Sequence, residues 1–180
     1  MSLNLPHFTL VLGAAASGKS AYAERLALAT GRRLTYLATA QAFDEEMEVK
    51  IAAHQTRRGA QWTTIEAPCN LAEPLVEAEA GTLVLVDCAT LWLSNLLGTG
   101  RDLTTEESGL LKAISASPAT VIVVTNEVGA GIVPDNALAR RFRAAQGRLN
   151  QSLAARADLV LAVMAGLPLA LKGTLPEGAP

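Results

Sequence analysis

The chain is poor in several things, and each scarcity removes a class of protein. Of 180 residues only two are cysteines, Cys69 and Cys88, far apart and outside any CxxC pair. Neither a disulfide framework nor a zinc site is expected, and both read as core thiols. Charged residues make up 18% of the chain, the formal net charge is −2, and lysine and arginine form no block. A broad surface for the phosphate backbone of DNA or RNA is therefore not expected, and small-molecule partners are favoured. No apolar run approaches the roughly 18 residues of a membrane span, and the start, "MSLNLPHFTLVLG", lacks the charged n-region of a signal peptide. The chain reads as soluble and cytoplasmic, without membrane insertion. No repeat, low-complexity block or Pro/Gly-rich linker divides it, so residues 1–180 are expected to form a single domain, with 1–7 and 174–180 as flexible ends.

Apolar residues, at 50%, are what the chain has in quantity. They fall in short Val- and Leu-rich runs separated by helical patterns, which is how strands buried on both faces of a parallel sheet read. Five or six strands are expected. "FTLVL" (8–12) leads into a glycine-rich loop and a helix, "SAYAERLALA", that stops at Gly31. "LTYLAT" (34–39) is the next strand, followed by a helix over 44–58 with acids Asp44, Glu45 and Glu46 at its positive end and arginines at its finish. A helix over 70–80 precedes "TLVLVD" (82–87), the most strand-like run of all. The short apolar "LWLSNLL" reads as a helix, and Thr104 with Glu107 three residues on reads as a capping box for a helix reaching about Ser115. "ATVIVVTNE" is another buried strand, a long helix is expected over 136–155, and residues 157–173 read as two strands turning at Gly166 to Pro168. Alternating strands and helices of this kind make a doubly wound α/β domain whose site lies at the carboxyl ends of the strands.

The stretch Gly13-Ala14-Ala15-Ala16-Ser17-Gly18-Lys19-Ser20 fits G-x-x-x-x-G-K-[ST] between an expected strand and an expected helix. In that pattern backbone N–H groups wrap phosphates, the lysine neutralises them, and the last hydroxyl ligates Mg²⁺. Asp87, closing the apolar run "LVLVD", is the candidate for the second Mg²⁺ ligand at the end of a neighbouring strand. His54 shares a helix face with Met47 and Ile51, so it reads either as a hydrogen-bonded histidine near a helix end or as a group pointing into a site. Gln55, Thr56, Arg57 and Arg58 suit phosphates and a base, and equally a solvated helix end matched to the dipole. The acids 44–46 are explained by helix-start electrostatics alone. Glu66 is an exposed strand-end acid, or a ribose or base ligand if the site reaches it. "TNEVGAGIVPDN" (125–136) is a loop at the functional edge of the sheet, and "RRFRAAQGRLNQ" (140–151) reads as a basic patch or as a helix with one solvated face.

Taken together these residues resemble one family: the bifunctional adenosylcobinamide kinase and adenosylcobinamide-phosphate guanylyltransferase family of cobalamin biosynthesis. The resemblance spans about residues 8–172 and is carried by "LVLGAAASGKS", "YLATAQAFDEEMEVKIAAHQTRR", W-x-T-x-E from Trp62 to Glu66, "VTNEVGAGIVPDN" and "GRLNQ" from Gly147 to Gln151. It implies a three-layer P-loop NTPase fold with a mostly parallel, RecA-like sheet, and a homotrimer. It implies that GTP guanylylates His54, that Gly13 to Ser20 hold the phosphates, and that Ala38, Thr39, Ala40, Gln55 to Arg58, Glu66 and Asp87 line the nucleotide site. It further implies that GTP or ATP phosphorylates adenosylcobinamide with Lys19 and Mg²⁺. Two departures stand out. Ala53-His54 replaces the paired histidines of some members, which marks the second as the essential one, and Asp87 stands where some members have Glu, a change that moves the carboxylate without removing its charge. Other readings of a P-loop chain of this size are a single-function kinase of a small alcohol and a RecA-like ATPase or nucleotide switch with no covalent intermediate.

Overall fold

A computed structural model describes residues 2–41 and 59–180. In chain order the elements are β1 (Phe8–Gly13), α1 (Lys19–Ala29), β2 (Leu34–Ala38), β3 (Trp62–Glu66), α2 (Ala72–Val76), β4 (Leu83–Asp87), α3 (Ala89–Thr99), α4 (Leu103–Ala116), β5 (Thr120–Asn126), α5 (Ala137–Arg156), β6 (Leu159–Met164) and β7 (Leu167–Lys172). The strands make one sheet in the order β3-β2-β4-β5-β1-β6-β7, seven strands in all. Every pairing is parallel except that of β6 with β7.

The alternation of side chains along the strands splits the core into two layers. Leu10, Val84, Val86, Val121 and Val123 face one way, against Trp92 and Leu96 of α3, Leu110 and Ile114 of α4, and Leu149 and Leu153 of α5. Val11, Leu83, Leu85, Ile122 and Val124 face the other, against Tyr22, Ala23 and Leu26 of α1. Both faces of the central strands are thus covered, which is why those segments read as continuous apolar runs. The chain passes from β1 out to β2 and back through β4, so β5 lies between β4 and the loop-bearing β1. The crevice at that reversal is where such sheets bind ligands.

Several local expectations change. Beyond the expected five or six strands there is a seventh, β3, a sheet edge in which only Trp62 is buried, so no apolar run announced it. The helix expected over 70–80 is confined to Ala72–Val76. Helix α4 is capped by Asp102 rather than Thr104: the Asp102 carboxylate accepts from Thr105 N at 3.1 Å and Thr105 Oγ1 at 2.6 Å. Those bonds hold its carboxyl below the usual aspartate range. The β6–β7 turn comes at Ala165 and Gly166, both with positive φ, and Pro168 falls inside β7. An edge strand tolerates proline because one side of it needs no ladder donor. The two ends, expected to be loose, pack on the α1 face. Leu3 and Leu5 are buried there, Leu3 N donates to Ala29 O at 2.8 Å, and Leu175 and Ala179 join the same cluster. The helix expected over 44–58 lies outside the described residues.

Candidate active site

The glycine-rich loop is built between the end of β1 and the first turn of α1. Gly18, the residue ahead of α1, has φ +90°, and a Cβ there would lie 3.1 Å from Gly166 Cα in the β6–β7 turn. Gly13 is equally restricted, since its Cβ would come within 2.5 Å of Ser17 Oγ and Val163 O. Both glycines are therefore demanded by backbone conformation and space, the property the motif relies on. The loop is braced on two sides: Glu127 N donates to Gly13 O at 3.0 Å, and Gly166 N donates to Ser17 O at 2.8 Å. Ala14, Ala15 and Ala16 are exposed. Helix α1 starts with no side-chain cap and no acid in its first turn, so its free N–H groups and positive dipole end are left for an anion. Lys19 is 8% exposed and its Nζ donates to Ala14 O at 3.2 Å, which holds the ammonium over the loop.

Strand register brings further residues to the same edge. Ala38 stands opposite Asp87 on one side and Glu66 on the other, while Gly13 stands opposite Asn126. Asp87 follows Leu83 and Leu85 at even spacing, and Asn126 follows Ile122 and Val124, so both point to the α1 face, the side on which Lys19 starts its helix. Burial, and after it the neighbouring Asp87 carboxylate, push the Cys88 thiol up to about 11, with Lys19 acting in the opposite sense. Cys88 is thus a protonated core thiol, as expected, whereas Cys69 is only half-buried.

Of the residues expected to line a nucleotide, Ala38 is buried at the end of β2, Ala40 is half-buried, and Glu66 is exposed at the end of β3. Glu66 borders a groove of about 900 Å³ that runs along the β3 edge past Thr35, Thr63 and Asn70, apart from the glycine-rich loop. Thr39 is fully buried, and its hydroxyl is committed to the residue after Asp87, donating to Cys88 O at 2.8 Å and accepting from Cys88 N at 2.7 Å. Asn95 ties the same region together, with Nδ2 donating to Thr39 O and to Pro68 O, each at 2.9 Å. Thr39→Val is expected to cost about 1–3 kcal/mol, because Cys88 N is left buried without its acceptor. Urea unfolding checks this, with Thr39→Ser, which keeps the hydroxyl, as the control expected to avoid most of the loss. His54, Gln55, Thr56, Arg57 and Arg58 lie outside the described residues, as do Asp44 to Glu46.

The basic stretch after residue 139 is the second of the two things its charge suggested, a helix with one buried face and its arginines on the solvated side, and two of those arginines have a further role. Arg140 Nη1 donates to Pro134 O at 3.0 Å and to Asp135 O, and Arg143 donates to Ile132 O at 3.1 Å and to Gly129 O. These arginines staple the loop that leaves β5, whose Ile132 is 97% exposed. Sequence reasoning also missed a buried polar cluster under that loop, made of Thr90, Thr125, Gln146 and Asn150. Its one sequence signal was an amide pair four residues apart on the stripe of α5 that carries Leu149 and Leu153.

A metal centre built from protein ligands alone is absent: among the described residues no group of three or more His, Cys, Asp or Glu side chains could hold an ion. No helix among them is long and apolar enough to cross a membrane.

Comparison with known proteins agrees with this geometry. Among solved structures, the RadB recombinase superposes with a TM-score of 0.52 at 20% identity, covering 86% of this chain and 73% of that one. The flagellar accessory protein FlaH of Methanocaldococcus jannaschii superposes with a TM-score of 0.54 at 13% identity, covering 95% and 81%. Likenesses at that identity establish the α/β, RecA-like P-loop fold and nothing finer. Sequence goes further. The chain is 48% identical over 167 residues to the bifunctional adenosylcobalamin biosynthesis protein CobP of Pseudomonas aeruginosa, covering 91% of this chain and 96% of that one. It is 39% identical over 180 residues to the bifunctional adenosylcobalamin biosynthesis protein CobU of Escherichia coli, covering 91% and 98%. Residues 9–171 match the family model described as cobinamide kinase / cobinamide phosphate guanyltransferase, so the glycine-rich loop, Asp87 and the loop after β5 all fall within one family pattern, and the chain belongs to that family.

Proposed function

We propose that this chain performs both reactions of its family at one nucleotide site: phosphorylation of adenosylcobinamide by GTP or ATP, then transfer of GMP from GTP to the phosphorylated product. The observation that carries the reading is the convergence of an uncapped helix N-terminus, Lys19 and Asp87 on one sheet edge, in a chain matched to the family over nearly its whole length.

In the kinase step the side-arm hydroxyl oxygen attacks the γ-phosphorus, the bond from that phosphorus to its bridging oxygen breaks, and the nucleoside diphosphate leaves while the hydroxyl proton passes to solvent. Gly13 to Ser20 hold the phosphates through backbone N–H groups, and Lys19 leaves the Ala14 carbonyl to neutralise the charge spreading over the transferring group. In the transferase step the neutral imidazole of His54 attacks the α-phosphorus of GTP and pyrophosphate leaves. A phosphate oxygen of the phosphorylated cobinamide then attacks the same phosphorus, the P–N bond breaks, adenosylcobinamide-GDP is released and the imidazole is restored. A reference pKa near 6.5 keeps that imidazole mostly neutral at cellular pH. Gln55, Thr56, Arg57, Arg58 and Glu66 complete the nucleotide pocket in this reading, with the backbone of 38–40.

The oxygen donors present fit Mg²⁺. Ser20 in the first turn of α1 and Asp87 on the same face are one hydroxyl and one carboxylate, a sparse set that suits an ion keeping its waters and phosphate ligands. Bound there, Mg²⁺ would supply positive charge beside the phosphates. The chain works on cytoplasmic nucleotides as a homotrimer in this proposal; light scattering that returned a monomer mass at micromolar concentration would refute the assembly.

The test of the function is labelling of the wild-type chain. GTP labelled at the α-phosphate is expected to leave an acid-labile label on the protein without cobinamide, and γ-labelled GTP or ATP to label cobinamide. Excess chelator is expected to silence both. No protein labelling from the α position, with cobinamide still phosphorylated, would reduce the chain to a plain kinase.

A further inference from the structure

Residue Asn126 is the last of β5, one strand away from the end of β1 and in register with Gly13. Adjacent strands lie about 4.8 Å apart, so its backbone flanks the mouth of the phosphate loop. Three bonds fix that backbone. Asn126 N donates to Thr90 Oγ1 at 2.7 Å, Asn126 O accepts from Asn150 Nδ2 at 3.0 Å, and the next residue, Glu127, donates from N to Gly13 O at 3.0 Å. Asn150 is held in turn, because its Oδ1 accepts from Thr125 Oγ1 and Gln146 Nε2, each at 2.8 Å. Thr125 and Gln146 are fully buried and Asn150 is 9% exposed, so the anchor lies in the core of the α5 layer. The side chain of Asn126 behaves differently. Its residue is half-buried, points to the α1 face with Asp87, and its Oδ1 is buried with no hydrogen-bond partner. A buried acceptor of this kind is costly unless a donor arrives, and a ligand seated at this edge is a source of one.

We propose that Asn126 is a further catalytic residue of the phosphoryl-transfer step, accepting a hydrogen bond from the attacking hydroxyl, and that Asn150 and Thr90 are the positioning residues that aim it. The donor is the alcohol because ionised phosphate oxygens carry no proton to give, whereas the kinase substrate brings an O–H to this edge. A carboxamide does not remove the proton; it orients the oxygen toward the phosphorus, and orientation is a large part of phosphoryl-transfer catalysis. Guanylylation of the protein involves no alcohol, so it depends on Asn126 much less. This inference rests on the two-reaction reading above, and the controls separate the two.

The experiment measures, for wild type and variants, cobinamide phosphorylation from γ-labelled GTP and protein labelling from α-labelled GTP without cobinamide. Asn126→Ala is expected to lower the kcat of the kinase reaction about 10²-fold and the ratio of kinase to labelling rate at least tenfold. Asn150→Ala is expected to lower kinase kcat about tenfold, and the double variant to be no slower than Asn126→Ala alone, because the second residue acts through the first. Thr90→Val is expected to reproduce the Asn150→Ala loss and Thr90→Ser to restore activity, which keeps the positioning claim testable if Asn150→Ala does not fold. Equal losses of both rates, multiplicative effects in the double variant, or wild-type kinase kcat in Asn126→Ala would each overturn the inference. Absence of protein labelling in the wild type would count instead against the two-reaction reading, and kinase kcat would still judge Asn126.

Discussion

Lys19→Ala is expected to lower both reactions by on the order of 10²-fold or more while leaving the chain folded. The two transfers break different bonds of the nucleotide, yet both need its phosphate chain clamped and its growing negative charge neutralised. Lys19 is the first residue of α1, 8% exposed, and its ammonium is held by a single described acceptor, Ala14 O. That bond is made to an exposed residue of the loop rather than to the core, so its loss costs little stability. Initial rates with γ-labelled and α-labelled GTP, beside a melting curve, check the expectation. A variant that kept near-normal turnover in either assay would show that the two reactions do not share this loop.

How much of this could be read from the chain divides along a physical line. The phosphate loop was legible because its glycines answer local backbone constraints, here φ +90° at Gly18 and the crowding at Gly13. Asp87 was legible because a strand buried on both faces writes itself as an apolar run with a visible end. What escaped depends on neighbours distant in sequence. Strand β3 exists through pairing with β2 at the edge of the sheet, and its exposed residues carry no apolar signature. Thr39 gave no sign in the sequence that its hydroxyl would be occupied by the chain returning at Cys88. The roles of Arg140 and Arg143 appeared only once the loop after β5 folded back over α5 and put its carbonyls in reach. Asn126 and Asn150, separated by 24 positions, meet only in the folded chain. The ends were misjudged because Leu3, Leu5 and Leu175 have apolar partners that no local pattern reveals.

His54→Ala is expected to separate the two chemistries. Nucleophilic catalysis has no substitute for a missing imidazole, so covalent GMP and its transfer to phosphorylated cobinamide should disappear, a loss of at least about 10³-fold. Phosphoryl transfer depends on the loop from Gly13 to Ser20, on Lys19 and on the carboxylate of Asp87, all of which the substitution leaves in place. A partial decrease, within about tenfold, is expected there, because Gln55 to Arg58 follow directly in sequence and belong to the proposed nucleotide pocket.

One pair of assays on purified His54→Ala therefore tests the central claim, that a single phosphate loop serves a direct transfer and a transfer through a histidine. With label at the γ-phosphate, cobinamide should still become phosphorylated; with label at the α-phosphate, neither the protein nor the phosphorylated cobinamide should carry it. Labelling of the variant from the α position at the wild-type rate would contradict the account, since the nucleophile would then be some other residue.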